Sequence, residues 1–388
     1  MTPPLEKPQR QRRRLPAAPL VLGALLLALL LWVPISSLLN MAPEPMRRMV
    51  PQPWALQQAQ PPLVGPLEQH PELVRQGQVV QVGLHLENIY ALSLKDKTFT
   101  ADGRLWLEWP EALQTQLQDL GVKPLNLIDF VNEVDDGNSD ITADQPMPVL
   151  RDGRWHQSFH FSKHFYLHRI NLNRYPFNPL DLNVTIQVTP AYSKLAGKPV
   201  LLLPFRDQRG LIGEYANLEG YQLQSAQLQP LLRRFRTDYG LGERVSTSQV
   251  ELTLHYSHSF WPAFIADVLP LAIVLLVVLI SPYLEGSLAD VRIAIPSTAL
   301  LTLVFLQQGY RSELPPSPYL SYGDRLYAVS YLICIALFVL FAWTSNLYQR
   351  TPPDQREALV RQLDRYDLNF QLIALTLLAV VSLEAWIH

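Results

Sequence analysis

Four histidines, His156, His160, His164 and His168, recur at every fourth position. On a helix that spacing would gather imidazoles on one face, as a metal site requires. The residues between them decide otherwise. Trp155, Phe159, Phe161, Phe165 and Leu167 are all odd-numbered and the histidines all even, so the period is two and the segment reads as a strand. Residues four apart on a strand lie about 13 Å from each other, too far to share one ion whose ligands sit at about 2 Å. The expected role is a solvated polar face, with proton sensing as the alternative. No metal and no cofactor is expected.

A second pattern lies at 290–312, DVRIAIPSTALLTLVFLQQGYRS. It is apolar enough to cross a membrane, yet steps of three or four residues from Asp290 reach Ala294, Thr298, Leu301, Phe305, Gln308 and Ser312. An acid, small and hydroxylated residues, a bulky apolar band and polar residues again would suit the lining of a water-filled pore. A helix meeting lipid all round would have no use for Asp290, Thr298 or Gln308. The alternative is a buried helix whose polar residues bond to neighbouring helices. Arg292 lies roughly 200° around from Asp290 and is expected to point toward other helices or the lipid interface. Pro296 removes one helical hydrogen bond, so a kink is expected there.

The chain that must position these residues has 388 of them, 48% hydrophobic, with a net charge of −2. That charge excludes a basic nucleic-acid binder. Cys334 is the single cysteine; it cannot form an intrachain disulfide and is expected to pack in a core. Residues 1–14 form a basic flank that stays in the cytoplasm. Residues 15–39 follow, long enough for an uncleaved transmembrane anchor, with a signal segment as the rival reading. Residues 40–77 read as a Pro-rich extended linker. From 78 to 258 short alternating segments argue for an antiparallel β-sandwich on the extracytoplasmic side, with turns at Asp136-Gly137-Asn138 and Asp152-Gly153. Residues 259–388 then supply a four-helix transmembrane domain, with helices near 259–284, 288–312, 322–349 and 367–387. Arg350, Arg356, Arg361 and Arg365 place the last connection in the cytoplasm. The fold class is thus a β + α membrane protein.

Here the chain resembles the pentameric ligand-gated (Cys-loop) ion channels, especially their bacterial members, over about 78–388. A β-sandwich ends directly in an aromatic-rich span, Ser259-Phe260-Trp261, and a pore helix, a third helix, a short loop and a fourth helix follow. Tyr175-Pro176-Phe177-Asn178 is similar to the family's Phe-Pro-Phe-Asp loop, with Asn178 in place of the aspartate. Asp102-Gly103 through Trp109 matches the second strand, and Leu314-Pro315-Pro316-Ser317-Pro318-Tyr319 the bacterial linker after the pore helix. The family's two cysteines would fall near His168 and Leu182, as in bacterial members that lack them. The arginine usual before the first span is not evident, His258 being nearest.

The resemblance implies a homo-oligomer, a pentamer, in the bacterial inner (plasma) membrane, opened by a small-molecule ligand or a proton and passing inorganic cations. Asp290 falls where cation-selective bacterial members carry an acid. The pore-lining set is Asp290, Ala294, Thr298, Leu301, Phe305 and Gln308, with Leu301 and Phe305 as the apolar gate. By register, Arg104, Tyr192, Tyr221 and Tyr239 fall near the ligand box. Tyr175, Pro176, Phe177 and Asn178, set against Pro315 and Tyr319, would couple ligand binding to the pore. No HExxH, GxxxxGK or GxSxG occurs, so an enzyme is not expected; Gly240-Leu241-Gly242 is half a dinucleotide loop with no helix to follow it. A non-conducting membrane-anchored sensor using the same β-domain is the alternative function.

Overall fold

A computed structural model of the chain describes residues 64–134, 140–168, 170–205, 210–240, 242, 245–284 and 288–387. The basic flank, the anchor, the linker up to residue 63, the turn at 136–138 and Leu241 lie outside the described residues. Two compact units emerge: 64–271 with 306–324, and 272–305 with 325–387.

The first unit carries two sheets. One is five-stranded, in the order β1 (Val64–Pro66), β12 (Tyr221–Arg234), β13 (Ser246–His258), β8 (Leu180–Val188), β4 (Ile128–Phe130). The other runs β5 (Asp140–Ala143), β7 (Arg154–Tyr166), β3 (Thr98–Pro110), β2 (Gln78–Ser93), β10 (Lys198–Pro204), β9 (Lys194–Leu195). In that second sheet β6 (Val149–Arg151) adds to β7 and β11 (Ile212–Tyr215) to β2. Both sheets close on one apolar core. Leu105, Leu107 and Trp109 of β3, Phe159, Phe161 and Phe165 of β7, and Val250, Leu252, Leu254 and Tyr256 of β13 all face it, because a strand turns alternate side chains to one side. Asp152 and Gly153 both have positive φ, 48° and 76°, which fits a two-residue hairpin turn between β6 and β7.

Two expectations about this unit need correction. The sheets are not wholly antiparallel, for β10 and β11 both run parallel to β2. Parallel neighbours need a long crossover, and alternation within a strand carries no information about its partner's direction. The linker does not extend to 77. Val64–Pro66 pairs with β12, a short helix α1 follows at Pro71–Gln76, and Leu67 is fully buried with Leu201 and Leu232. A further helix, α2 at Glu111–Asp119, inserts after β3 and buries Leu113 and Leu117.

Among the described residues four helices are long and apolar enough to cross a membrane: α3 (Phe260–Tyr283), α4 (Ala289–Ser312), α5 (Tyr322–Arg350) and α6. Helix α6 runs Arg356–Ile387, so the fourth helix starts eleven residues before the expected 367. Its polar first turns are helical because Leu359, Leu363 and Asp367 continue one buried seam at helical spacing. Within α3, Phe264–Val268 forms a π-turn just ahead of Pro270, whose missing N–H and bulky ring disfavour regular α geometry there. At its end Pro282 cannot donate to the Val278 carbonyl, and the Ser281 hydroxyl donates to it instead at 2.7 Å. In lipid such a carbonyl has no other partner. Cys334 of α5 is fully buried.

Candidate functional site

Helix α4 has two unlike faces. Asp290, Ala294, Thr298, Leu301, Phe305, Gln308 and Ser312 are all exposed in the single chain, and Leu301 and Phe305 keep 59% and 64% of their surface. The opposite face, Arg292, Pro296, Ala299, Leu303 and Tyr310, is buried. Arg292 therefore points into the helices, as its angular offset from Asp290 requires. The helix is continuous through Pro296. Ser297 and Thr302 donate their hydroxyls to the Ile293 and Thr298 carbonyls at 2.9 and 3.0 Å, which satisfies polar groups inside an apolar span.

The buried face meets charge from a neighbouring helix. Arg292 donates through one guanidinium nitrogen to the Asp367 carboxylate of α6, and its guanidinium carbon stands 4.2 Å from the centre of the Phe341 ring of α5. One turn beyond Asp367, Gln371 donates to the Leu279 carbonyl at 2.9 Å.

A second focus lies in the β-containing unit, where the segment around Tyr175-Pro176-Phe177-Asn178 meets residues 310–324. The Leu172 N–H donates to the Tyr319 hydroxyl at 3.0 Å, and that hydroxyl donates to the Ile170 carbonyl at 3.4 Å. The N–H groups of Tyr322 and Gly323 donate to the Asn173 and Tyr175 carbonyls, at 2.8 and 3.3 Å. Tyr175 and Tyr310 hold their rings 5.4 Å apart, and Phe177 stacks on Phe260 at 5.1 Å. Pro176, Asn178 and Pro315 are buried. Tyr310 shares a 2.6 Å hydrogen bond with Ser321. Ser321 and Asp324 form a reciprocal cap, with the Asp324 N–H on the Ser321 hydroxyl and the Ser321 N–H on the Asp324 carboxylate. Arg311 completes the cluster with an ion pair to Asp324 at 2.8 Å. Burial raises the pKa of the Tyr175 phenol above its ordinary value, and the nearby charge of Asp267 raises it further.

The four expected ligand residues do not converge. Tyr221 pairs with His258 at one end of the β12–β13 ladder, its ring 4.4 Å from the imidazole, and burial pushes its phenol up to about 12. Tyr239 follows the other end, against Phe235 at 5.0 Å. A ladder of that length separates the ends by roughly 40 Å, so the two tyrosines cannot touch one small molecule. Tyr192 follows β8 on the Tyr239 end, where Val188 neighbours Ile128 rather than the Tyr221–His258 pair. Arg104 sits on the other sheet, held by Glu87 at 3.1 Å and Asp144 at 3.0 Å. Two carboxylates already neutralise it, which argues against its receiving an anionic ligand. Of the strand histidines, His156, His160 and His164 lie on the half-exposed side of β7. His156 pairs with Glu108 at 3.3 Å, and among the described residues no group of three or more His, Cys, Asp or Glu could hold a metal ion. A shallow groove of about 620 Å³ beside Phe205 and residues 227–231 is lined by none of the expected ligand residues.

Sequence reasoning overlooked Arg311, Ser321 and Asp324 at the junction, and Asp367 and Gln371 on α6. The Ser321-x-x-Asp324 spacing is a helix-capping signature that was available to it. Asp367 and Gln371 carried a subtler signal, as polar residues on a seam of otherwise apolar ones. Neither a family model nor a curated protein matches the chain.

Proposed function

We propose that the chain is one subunit of a ligand-gated ion channel, a homopentamer whose α4 helices surround a cation-selective pore in a bacterial inner membrane, with the β-sheets on the extracytoplasmic side. The observation that carries this reading is the exposed stripe on α4. Polar and charged groups on a face turned to hydrocarbon are disfavoured, and Asp290, Thr298 and Gln308 share one uncovered face. That face must therefore meet water or another chain, and a ring of five such helices supplies both.

In such a ring the five Asp290 carboxylates attract cations and repel anions at the cytoplasmic mouth. Rings of Leu301 and Phe305 form two stacked apolar constrictions that exclude water in the closed state. The test is the reversal potential in a salt gradient, for the wild type and for Asp290→Asn in liposomes or a patch. Cation preference that weakens in the mutant supports the assignment; chloride preference in the wild type, or an unaltered cation preference in the mutant, overturns it. Ligand binding without any current would instead support a non-conducting sensor built on the same β-sheets.

A further inference from the structure

We propose that the Arg292–Asp367 pair is the positioning device that fixes the rotation of α4 about its own axis, and with it which residues face the pore. Its consequence for permeation rests on the channel reading; the rotation itself does not.

Both side chains are withdrawn from solvent, Arg292 being 5% exposed and Asp367 4%. Arg292 Nε and Asp367 Oδ1 find no hydrogen-bond partner among the described residues, so the pair is incompletely compensated. Burying two charges in this way is rarely a net source of stability, because an apolar pair of similar volume does as well or better. What an ion pair adds is direction. The rest of the packing at this end of α4 lacks direction, since hydrophobic burial depends on area rather than angle; the polar contacts of Tyr310 and Arg311 lie at the far end of the helix. Apolar side chains run round much of the helix: Ala299 and Leu303 inside, Val291, Leu301 and Val304 outside. Turning the helix by one residue's angle would exchange one apolar set for another. It would also carry the guanidinium away from its carboxylate, leaving two buried charges unpaired.

The partner is itself held in place. Helix α6 is fastened one turn further along by the Gln371 donation to the Leu279 carbonyl of α3, which leaves Asp367 little freedom to follow a rotating α4. Phe341 of α5 closes over the guanidinium. Three helices thus determine where Arg292 points. Asp290, two residues earlier and about 200° around the helix, is turned outward by the same constraint.

The test uses the full chain with Cys334→Ala, so that introduced thiols react alone. Cysteine is placed at exposed Ala294 or at its half-buried neighbour Ile295, and the rates of modification by a charged methanethiosulfonate are compared in reconstituted protein. With the pair intact, position 294 reacts faster than 295. In Arg292→Met/Asp367→Leu the 294-to-295 ratio is expected to fall by about tenfold, the change a bias of about 1.4 kcal/mol produces. Asp367→Asn, which keeps the side-chain volume, is expected to lower the same ratio should the apolar pair not assemble. An assembled variant of either kind with the wild-type ratio overturns the proposal. Conduction is read separately. A lowered ratio with the reversal potential moved toward zero supports both readings, whereas a lowered ratio in protein whose wild type carries no current supports the positioning role and removes the channel.

Discussion

Gly323 occupies the tightest point in the junction between the Tyr175 loop and residues 310–324. A Cβ there would come within 2.3 Å of the Tyr310 hydroxyl, which is hydrogen-bonded to Ser321 and cannot swing aside freely. Gly323→Ala is therefore expected to destabilise the protein by about 1–3 kcal/mol, the usual cost of overpacking, seen as a lower midpoint of thermal unfolding in detergent. A midpoint equal to that of the wild type would mean that the tyrosine gives way without loss. The position is exacting because the Gly323 N–H also donates to the Tyr175 carbonyl, so the backbone cannot retreat to make room.

Among the elements, α4 and the loop around Phe177 carry the proposed mechanism. Leu301→Ser and Phe305→Ser each hydrate one of the apolar rings, and each is expected to raise basal conductance in the absence of ligand. Silent mutants with normal surface assembly would move the gate elsewhere along the helix, toward Pro296. The Phe177 ring stacked on Phe260 ties the loop to the first turn of α3. An aromatic pair is worth about 0.5–1.5 kcal/mol beyond its burial, too little to hold the fold together but enough to bias a gating equilibrium severalfold. Phe177→Ala is expected to leave assembly intact and reduce ligand-evoked current. Agonist sensitivity unchanged from the wild type would count against a coupling role. The caps and hydrogen bonds around Tyr319 and Ser321 make this junction stiff, so displacement of the loop would be passed on to the end of α4 and not absorbed between them.

For the whole molecule, the unlike surfaces of the long helices set the expectation. Helix α6 is buried along a single seam, and the rest of its span presents Leu368, Leu372, Leu375 and Val380 outward, which suits lipid. Helix α4 presents a carboxylate, a hydroxyl and an amide on its uncovered face, which does not. A lone subunit in a bilayer would expose both. Native mass spectrometry of the detergent-solubilised protein is expected to give five chains per particle, and a monomer would leave the α4 face without the enclosure the pore requires.

Much of this was determined locally. The period of two in β3, β7 and β13 and the long apolar runs of the helices are written in neighbouring residues, as are the outward stripe on α4 and the opposite heading of Arg292. Strand alternation and the 100° helical step are properties of the backbone itself, so they can be read without knowing what packs where. The metal site suggested by four spaced histidines dissolved on the same ground. Only the tertiary structure decided what each face would meet. The parallel pairing of β10 and β11 with β2, the residues after 63 that join the fold, the choice of Asp367 as partner for Arg292, and the separation of Tyr221 from Tyr239 all depend on residues distant in the chain. Long-range partners are selected by the summed burial of many side chains, and no single spacing along the sequence records that sum. The ligand residues failed to converge for this reason: register along one strand fixes a residue's face, while its neighbours in space are fixed by the other strands.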